Sequence, residues 1–128
     1  MTYRLIALDL DGTLLRSDHT ISPRSRQALQ RAMDAGIHVT LASGRSYASM
    51  QPWVEDLGVV VPVISYQGAM VTDPLSGKRL FQRLLAADLV EEVRAFARAR
   101  DLSLSVYCDD VIYVEEKRQS DAFYERWF

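Results

Sequence analysis

The run Leu5-Ile6-Ala7-Leu8-Asp9-Leu10-Asp11-Gly12-Thr13 constrains the fold more than any other stretch of the chain. Its apolar half shows no polar alternation, the pattern of a central parallel strand covered on both faces. Gly12 marks a sharp turn of the backbone away from that strand. Two carboxylates are thereby delivered to the strand's C-terminal edge, where open α/β sheets place their ligands. The expected class is α/β.

The same unit recurs downstream. Ser22 and Pro23 predict a helix start, a hydroxyl cap followed by proline at the first helical position, and Gly36 predicts its stop. Ala28, Leu29, Ala32 and Met33 share one face of that helix, while Arg24, Arg26, Gln30 and Arg31 fall mostly elsewhere, as on a helix covering a sheet. Residues 37–42 predict a second strand that runs into Ser43-Gly44-Arg45, so two strands bring polar loops to one edge. The next helix carries Tyr47, Met50, Val54 and Leu57 at helical spacing, with Pro52 expected to kink it or delay its start and Gly58 to end it. Residues 59–65 predict a third strand, which Pro62 assigns to an edge or entry position. Residues 70–72 and 79–82 predict a hairpin around a turn-rich loop. From Asp88, read as a helix cap, the pattern changes. A helix with Leu89, Val90, Val93, Phe96 and Ala97 on one face leads to alternation over 102–107, a turn at Asp109-Asp110, a returning strand over 111–115 and an aromatic helix over 119–128. The expected division is a core over 1–83 and a second α/β module over 84–128.

At 128 residues, 15 basic against 17 acidic side chains leave a formal charge of −2. That balance carries no electrostatic footprint for nucleic acid or an anionic membrane, and a small soluble partner is expected instead. Cys108 is the single cysteine and has no partner for an internal disulfide. With no leader-like or bilayer-length apolar segment, the expected location is cytoplasmic.

Asp9 and Asp11 stand two positions apart. If the strand geometry persists they share a side, about 6–7 Å apart along the chain. One carboxylate can attack phosphorus to form an aspartyl-phosphate while the other handles protons. An anionic phosphate ester approaching two acids demands a cation, and Mg²⁺, which takes one or two carboxylates together with substrate phosphate, suits Asp9 and Asp11. The Ser43 hydroxyl and Gly44 N–H can bind phosphate oxygens ahead of a helix start. Taken singly, an acidic pair after a strand is equally a solvated turn or a helix cap. A calcium loop is disfavoured, because Thr13-Leu14-Leu15 returns at once to apolar residues. The joint pattern, strand-DxDGT then strand-SGR in α/β order, is what points to chemistry.

The segment Leu8-Asp9-Leu10-Asp11-Gly12-Thr13-Leu14-Leu15 resembles the first motif of the haloacid dehalogenase-like hydrolases, and Ala42-Ser43-Gly44-Arg45 resembles their second. Ser17-Asp18-His19-Thr20-Ile21-Ser22 and Ser65-Tyr66-Gln67-Gly68-Ala69 narrow the likeness to the Cof-type sugar-phosphatase branch, whose cap is inserted after the third strand. The resemblance implies a Rossmann-like core with a parallel sheet, incomplete here, over 1–83 and the start of an α/β cap over 84–128. It implies a Mg²⁺-dependent phosphatase of small phosphorylated metabolites such as sugar phosphates. Asp9 would be the nucleophile and Asp11 the general acid/base, with the metal on the Asp9 side chain and the Asp11 backbone carbonyl. Gly12, Thr13, Ser43, Gly44 and Arg45 would bind phosphate or substrate, although an arginine at that helix start is also expected to pair with a nearby acid. Gln67 stands where the branch usually has asparagine. The family's lysine and its last acidic cluster follow the cap and so lie outside this sequence. Without the strands that follow the cap, Leu5 to Leu8 would form an open apolar edge, a site for self-association.

Other residues read as structural. His38 reads as a packed or rim residue, Cys108 as a small apolar one, and Trp53 and Trp127 as packing groups. His19, beside the acidic loop, is the better suspect for substrate contact, while Tyr107, Asp109, Asp110 and Tyr113 of the cap could face substrate in roles that spacing does not assign. Two rival readings accompany the phosphatase: a catalytically silent fragment that needs the missing half, for which Lys78 and Lys117 offer no replacement lysine, and a phospho-accepting regulatory domain. Asp11, Thr13 and the cap-like module argue against the latter.

Overall fold

The computed structural model describes residues 3–114; the helix expected over 119–128, with Trp127, and Lys117 lie outside them. The strand that opens the chain, β1 (Leu5–Leu8), pairs in parallel with β2 (His38–Leu41), in the register Leu5 to His38 and Leu8 to Leu41. The crossover between them is α1 (Pro23–Asp34). The Ser22 hydroxyl caps that helix by accepting the Ser25 N–H at 3.0 Å, with Pro23 at its first position as the sequence predicts. Its packing face is narrower than expected. Leu29 is buried and Met33 packs on the core, but Ala28 is exposed.

After β2, the Ser46 hydroxyl accepts the Ser49 N–H at 3.2 Å and starts α2 (Tyr47–Asp56) without delay; Pro52 lies inside the helix and does not break it. The third strand is shorter than expected: β3 covers Val63–Ser65 rather than 59–65. Pro62 has no N–H for a ladder, so pairing begins after it, and its carbonyl instead accepts the Thr40 hydroxyl at 2.6 Å. β3 joins β2 through a parallel bridge between Ala42 and Ile64, and pairs antiparallel with β4 (Met70–Thr72), which pairs with β5 (Arg79–Gln82). Leu10, Leu41, Met50 and Val63 are fully buried at the centre of this core.

β1 departs from the fully covered strand that its composition suggests. Among the described residues it pairs with β2 alone, and Leu5 is 54% exposed while Val39, Thr40 and Leu41 of β2 are buried. Burial needs a neighbour on each side and a layer on each face, and here β1 has one flanking strand.

One surface ion pair ties α1 to the end of α2. Arg26 donates to both carboxylate oxygens of Asp56 at 2.7 and 2.6 Å, and this bond holds the Asp56 carboxyl below its usual range. A carboxylate with a depressed folded pKa adds stability above the ordinary carboxylate range and loses it as pH falls through the folded value. The destabilisation caused by Arg26→Ala in urea titrations is therefore expected to be full at pH 7 and smaller at a pH below the ordinary carboxylate range. An equal effect at both pH values would assign it to packing.

The chain divides into two compact units between Gln82 and Arg83. In the second, α3 (Ala87–Ala99) precedes the hairpin of β6 (Ser105–Cys108) and β7 (Val111–Val114). Asp109 and Asp110 form the expected two-residue turn, with φ of 47° and 63°. Other details differ. Ala86, not Asp88, precedes the helix, and Asp88 sits in the first turn, where a negative charge favours the helix dipole. β6 starts at Ser105, later than the alternation from Leu102 suggests, and Cys108 is exposed rather than packed. Of the apolar face expected on α3, Ala97 is buried while Leu89, Val93 and Phe96 are 42%, 41% and 52% exposed.

Candidate active site

The parallel register of β1 and β2 fixes where the two polar loops emerge. Leu8 faces Leu41, the Ala42 N–H donates to the Leu8 carbonyl at 2.8 Å, and Asp9 and Ser43 leave the sheet at the same edge. β3 ends there too, because the Ser43 N–H donates to the Ile64 carbonyl at 3.1 Å.

The strand geometry does not persist through Asp11. Leu10–Leu14 form one wide turn, closed by Leu14 N–H to the Asp9 carbonyl at 3.3 Å and Leu15 N–H to the Leu10 carbonyl at 2.9 Å. Gly12 makes the turn possible with φ of 73°. Leu10 is buried beneath it, so Asp9 and Asp11 flank an apolar anchor and both remain exposed. The Thr13 hydroxyl donates to Asp9 Oδ2 at 3.1 Å.

Asp11 meets Arg45. Nε and Nη2 of the guanidinium donate to the two carboxylate oxygens, each at 2.7 Å, a bidentate fork that reaches across from the other loop. Arg45 is 4% exposed, and its guanidinium lies 4.9 Å from the centroid of the Trp53 ring. The Arg45 hydrogen bond holds the Asp11 carboxyl below the ordinary range; burial opposes it, and the Arg45 charge and His19 add to it. Of the two roles expected for Arg45, the pairing with an acid is the one observed here.

His19 lies near the site on a short hairpin over residues 15–21, where Leu15 bridges Ile21 and the Asp18 carboxylate accepts both the Thr20 N–H and hydroxyl. Its Nδ1 is 3.9 Å from Asp11 Oδ1. The Trp53 indole N–H donates to the His19 carbonyl at 3.3 Å, so Trp53 braces both Arg45 and the hairpin. In the sequence Trp53 reads as packing, because its contact with Arg45 depends on tertiary placement, which no local spacing encodes. His38 is exposed at the opposite end of β2.

Ser43 is buried, and its hydroxyl accepts the Arg45 N–H at 3.3 Å. The Tyr66 N–H donates to the Arg45 carbonyl at 2.9 Å and the Gln67 N–H to the Ser43 carbonyl at 3.2 Å. Tyr66 and Gln67 both take left-handed φ, 51° and 55°, a conformation that costs a side-chain-bearing residue roughly 1–2 kcal/mol. The Gln67 amide rests on Gly44, where an added Cβ would meet Nε2 and approach Cδ to 3.0 Å.

The family model for haloacid dehalogenase-like hydrolases matches residues 6–127, nearly the whole chain. The chain belongs to the haloacid dehalogenase-like hydrolases. Its relatives in this family are Cof-type phosphatases. The chain is 35% identical over 108 residues to the 5-amino-6-(5-phospho-D-ribitylamino)uracil phosphatase YwtE of Bacillus subtilis, covering 84% of this chain and 36% of that protein. It is 37% identical over 108 residues to the HMP-PP phosphatase of Serratia proteamaculans, covering 84% of this chain and 39% of that one. A haloacid dehalogenase-like hydrolase from Bacteroides thetaiotaomicron superposes with a TM-score of 0.80 at 32% identity, over 98% of this chain and 50% of the other. The chain thus spans about half or less of the length of these relatives. No helix among the described residues is long and apolar enough to cross a membrane.

Removing the Arg45 side chain separates pairing from packing. Arg45→Ala is expected to cost about 2 kcal/mol in urea unfolding, since a buried stem and two charge-assisted hydrogen bonds are lost while Asp11 can turn to water. Arg45→Lys keeps the charge but not the fork, and less than half of that loss is expected to return. Equal stability of all three proteins would show that the fork contributes nothing.

Proposed function

We propose that this chain carries the nucleophile and phosphate-binding half of a Mg²⁺-dependent phosphomonoester hydrolase acting on small phosphorylated metabolites. The supporting observation is the convergence of the Asp9–Thr13 turn and the Ser43-Gly44-Arg45 loop at one sheet edge, joined by the Asp11–Arg45 fork. Relatives named as phosphatases of a ribitylaminouracil phosphate and of HMP-PP support small phosphorylated substrates of this kind.

The donor set suits a hard cation. Asp9 offers a carboxylate and Asp11 a main-chain carbonyl, so the hold that Arg45 keeps on the Asp11 side chain leaves both donors in place. Mg²⁺ binds through one or two carboxylates and takes water and substrate phosphate among its other ligands, so two protein donors at this edge are enough to begin its site. When bound, Mg²⁺ supplies charge neutralisation to the phosphoryl oxygens.

The residues then divide the work. Ser43 and the Gly44 N–H orient the phosphate, and an Asp9 oxygen attacks phosphorus as the bond to the leaving oxygen breaks, giving an aspartyl-phosphate. Asp11 gives the leaving oxygen its proton and takes one back from the water that hydrolyses the intermediate. To carry a proton Asp11 must be released from Arg45, and the incoming phosphate competes for that guanidinium with a second bidentate set of oxygens. The core over 1–83, the cap over 84–128, a cytoplasmic location and self-association through the β1 edge belong to the same proposal.

One observation favours a second reading, in which these 128 residues bind phosphate without turning it over: the described residues hold no third acid beside Asp9 and Asp11. The phosphatase reading is tested by p-nitrophenyl phosphate hydrolysis. Turnover is expected with Mg²⁺, falling about 100-fold or more in EDTA and returning when the metal is restored. Turnover indifferent to chelation would remove the metal from the proposal; phosphate binding without turnover would favour the second reading.

A further inference from the structure

We propose that Gln67 is a positioning residue for the Ser43-Gly44-Arg45 loop, its side-chain amide seated on Gly44 so that the loop keeps one conformation ready for phosphate. The inference rests on the reading of that loop as a phosphate cradle. Gly44 is alone among the six glycines in having a neighbour within 4 Å of an added Cβ, and that neighbour is Gln67. The other five have positive φ, between 63° and 90°, and open space where the Cβ would go. Gly44 is the reverse case. Its φ lies outside the region that favours glycine, so what calls for glycine there is room for the amide.

The backbone of the same turn holds the loop on either side of that contact. The Gln67 N–H binds the Ser43 carbonyl and the Tyr66 N–H binds the Arg45 carbonyl. The carbonyls flanking Gly44 are therefore fixed by the turn, and its Cα is covered by the amide. Two successive left-handed residues are tolerated at Tyr66 and Gln67 to deliver this arrangement at the end of β3. Pre-set backbone donors are what a phosphate loop needs, because ordering completed before binding is not charged against affinity.

The test uses the whole 128-residue chain, inorganic phosphate as ligand, and the variants Gln67→Ala, Gln67→Asn, Gly44→Ala and the double Gly44→Ala/Gln67→Ala. The amide is the movable end of a side chain, so a methyl at 44 displaces it where Gln67→Ala deletes it. Each single alanine variant is expected to weaken phosphate binding about tenfold, and the double variant also by about tenfold, since both remove one interaction. Gln67→Asn, which keeps an amide, is expected to stay within about threefold of the parent, and the urea midpoint of Gln67→Ala to stay close to the parent value. A double variant weakened about a hundredfold would show that the two residues act independently and overturn the proposal. So would a Gln67→Ala chain with parental affinity, or one whose loss of binding only follows a loss of stability. If the parent itself binds no phosphate, the cradle reading fails. The clamp is then judged by the amide resonances of Ser43, Gly44 and Arg45, which Gln67→Ala must shift and open to faster hydrogen exchange if it stands, and leaves unchanged if it does not.

Discussion

Replacing Asp9 with asparagine is expected to remove phosphatase turnover from the whole protein, by about 10³-fold or more, while leaving the fold intact. The two outcomes separate because of where Asp9 sits. It follows the last residue of β1, is exposed, and contributes one side-chain hydrogen bond as the acceptor of the Thr13 hydroxyl. An asparagine carbonyl can still accept that bond, more weakly than a carboxylate but at an exposed site, so stability is expected to change by less than about 0.5 kcal/mol. The amide cannot act as a carboxylate nucleophile toward phosphorus. Steady-state hydrolysis of p-nitrophenyl phosphate checks the first expectation and urea unfolding the second; a variant that turns over like its parent would make another residue the nucleophile.

Leu41→Ala is expected to do the opposite. Leu41 is fully buried, pairs in register with Leu8, and packs in the cluster formed with Leu10, Met50, Val54 and Val63. Deleting three carbons there leaves a cavity that a parallel sheet against two helices cannot easily close, and the expected cost is about 3 kcal/mol in urea unfolding. Leu41 is also the last residue of β2, two residues before Ser43 on the strand that carries the loop, and phosphate affinity is expected to weaken alongside stability. A cost below about 1 kcal/mol would mean that this core collapses around the gap and does not brace the loop.

Local chemistry made much of this fold legible. Ser22-Pro23 and Asp109-Asp110 each carry their own backbone instructions, a cap with a preset φ and a pair that tolerates left-handed turns, and both appear as expected. The parallel pairing of β1 with β2 follows from two apolar runs, each ending in a small polar loop. What was not legible depends on neighbours distant in sequence. Asp11 and Arg45 are 34 residues apart, and nothing local decided whether that arginine would face substrate or an acid; the fold brings the acid into reach. In the sequence Trp53 reads as packing and Gln67 as a departure from a family pattern, yet they brace the guanidinium and cover Gly44. β1 looks like a central strand because composition records what a strand is suited to pack against, and the described residues supply one of its flanking strands.

Asp9 is the proposed nucleophile, and acid-quench mass spectrometry reads that role directly. During turnover of a phosphate ester, the proteolytic peptide over residues 5–16 is expected to gain about 80 Da, the mass of a phosphoryl group, with fragmentation assigning it to Asp9 and the gain absent from Asp9→Asn. Phosphate found on Asp11 or Ser43, or sustained turnover with no modified peptide at all, would contradict it.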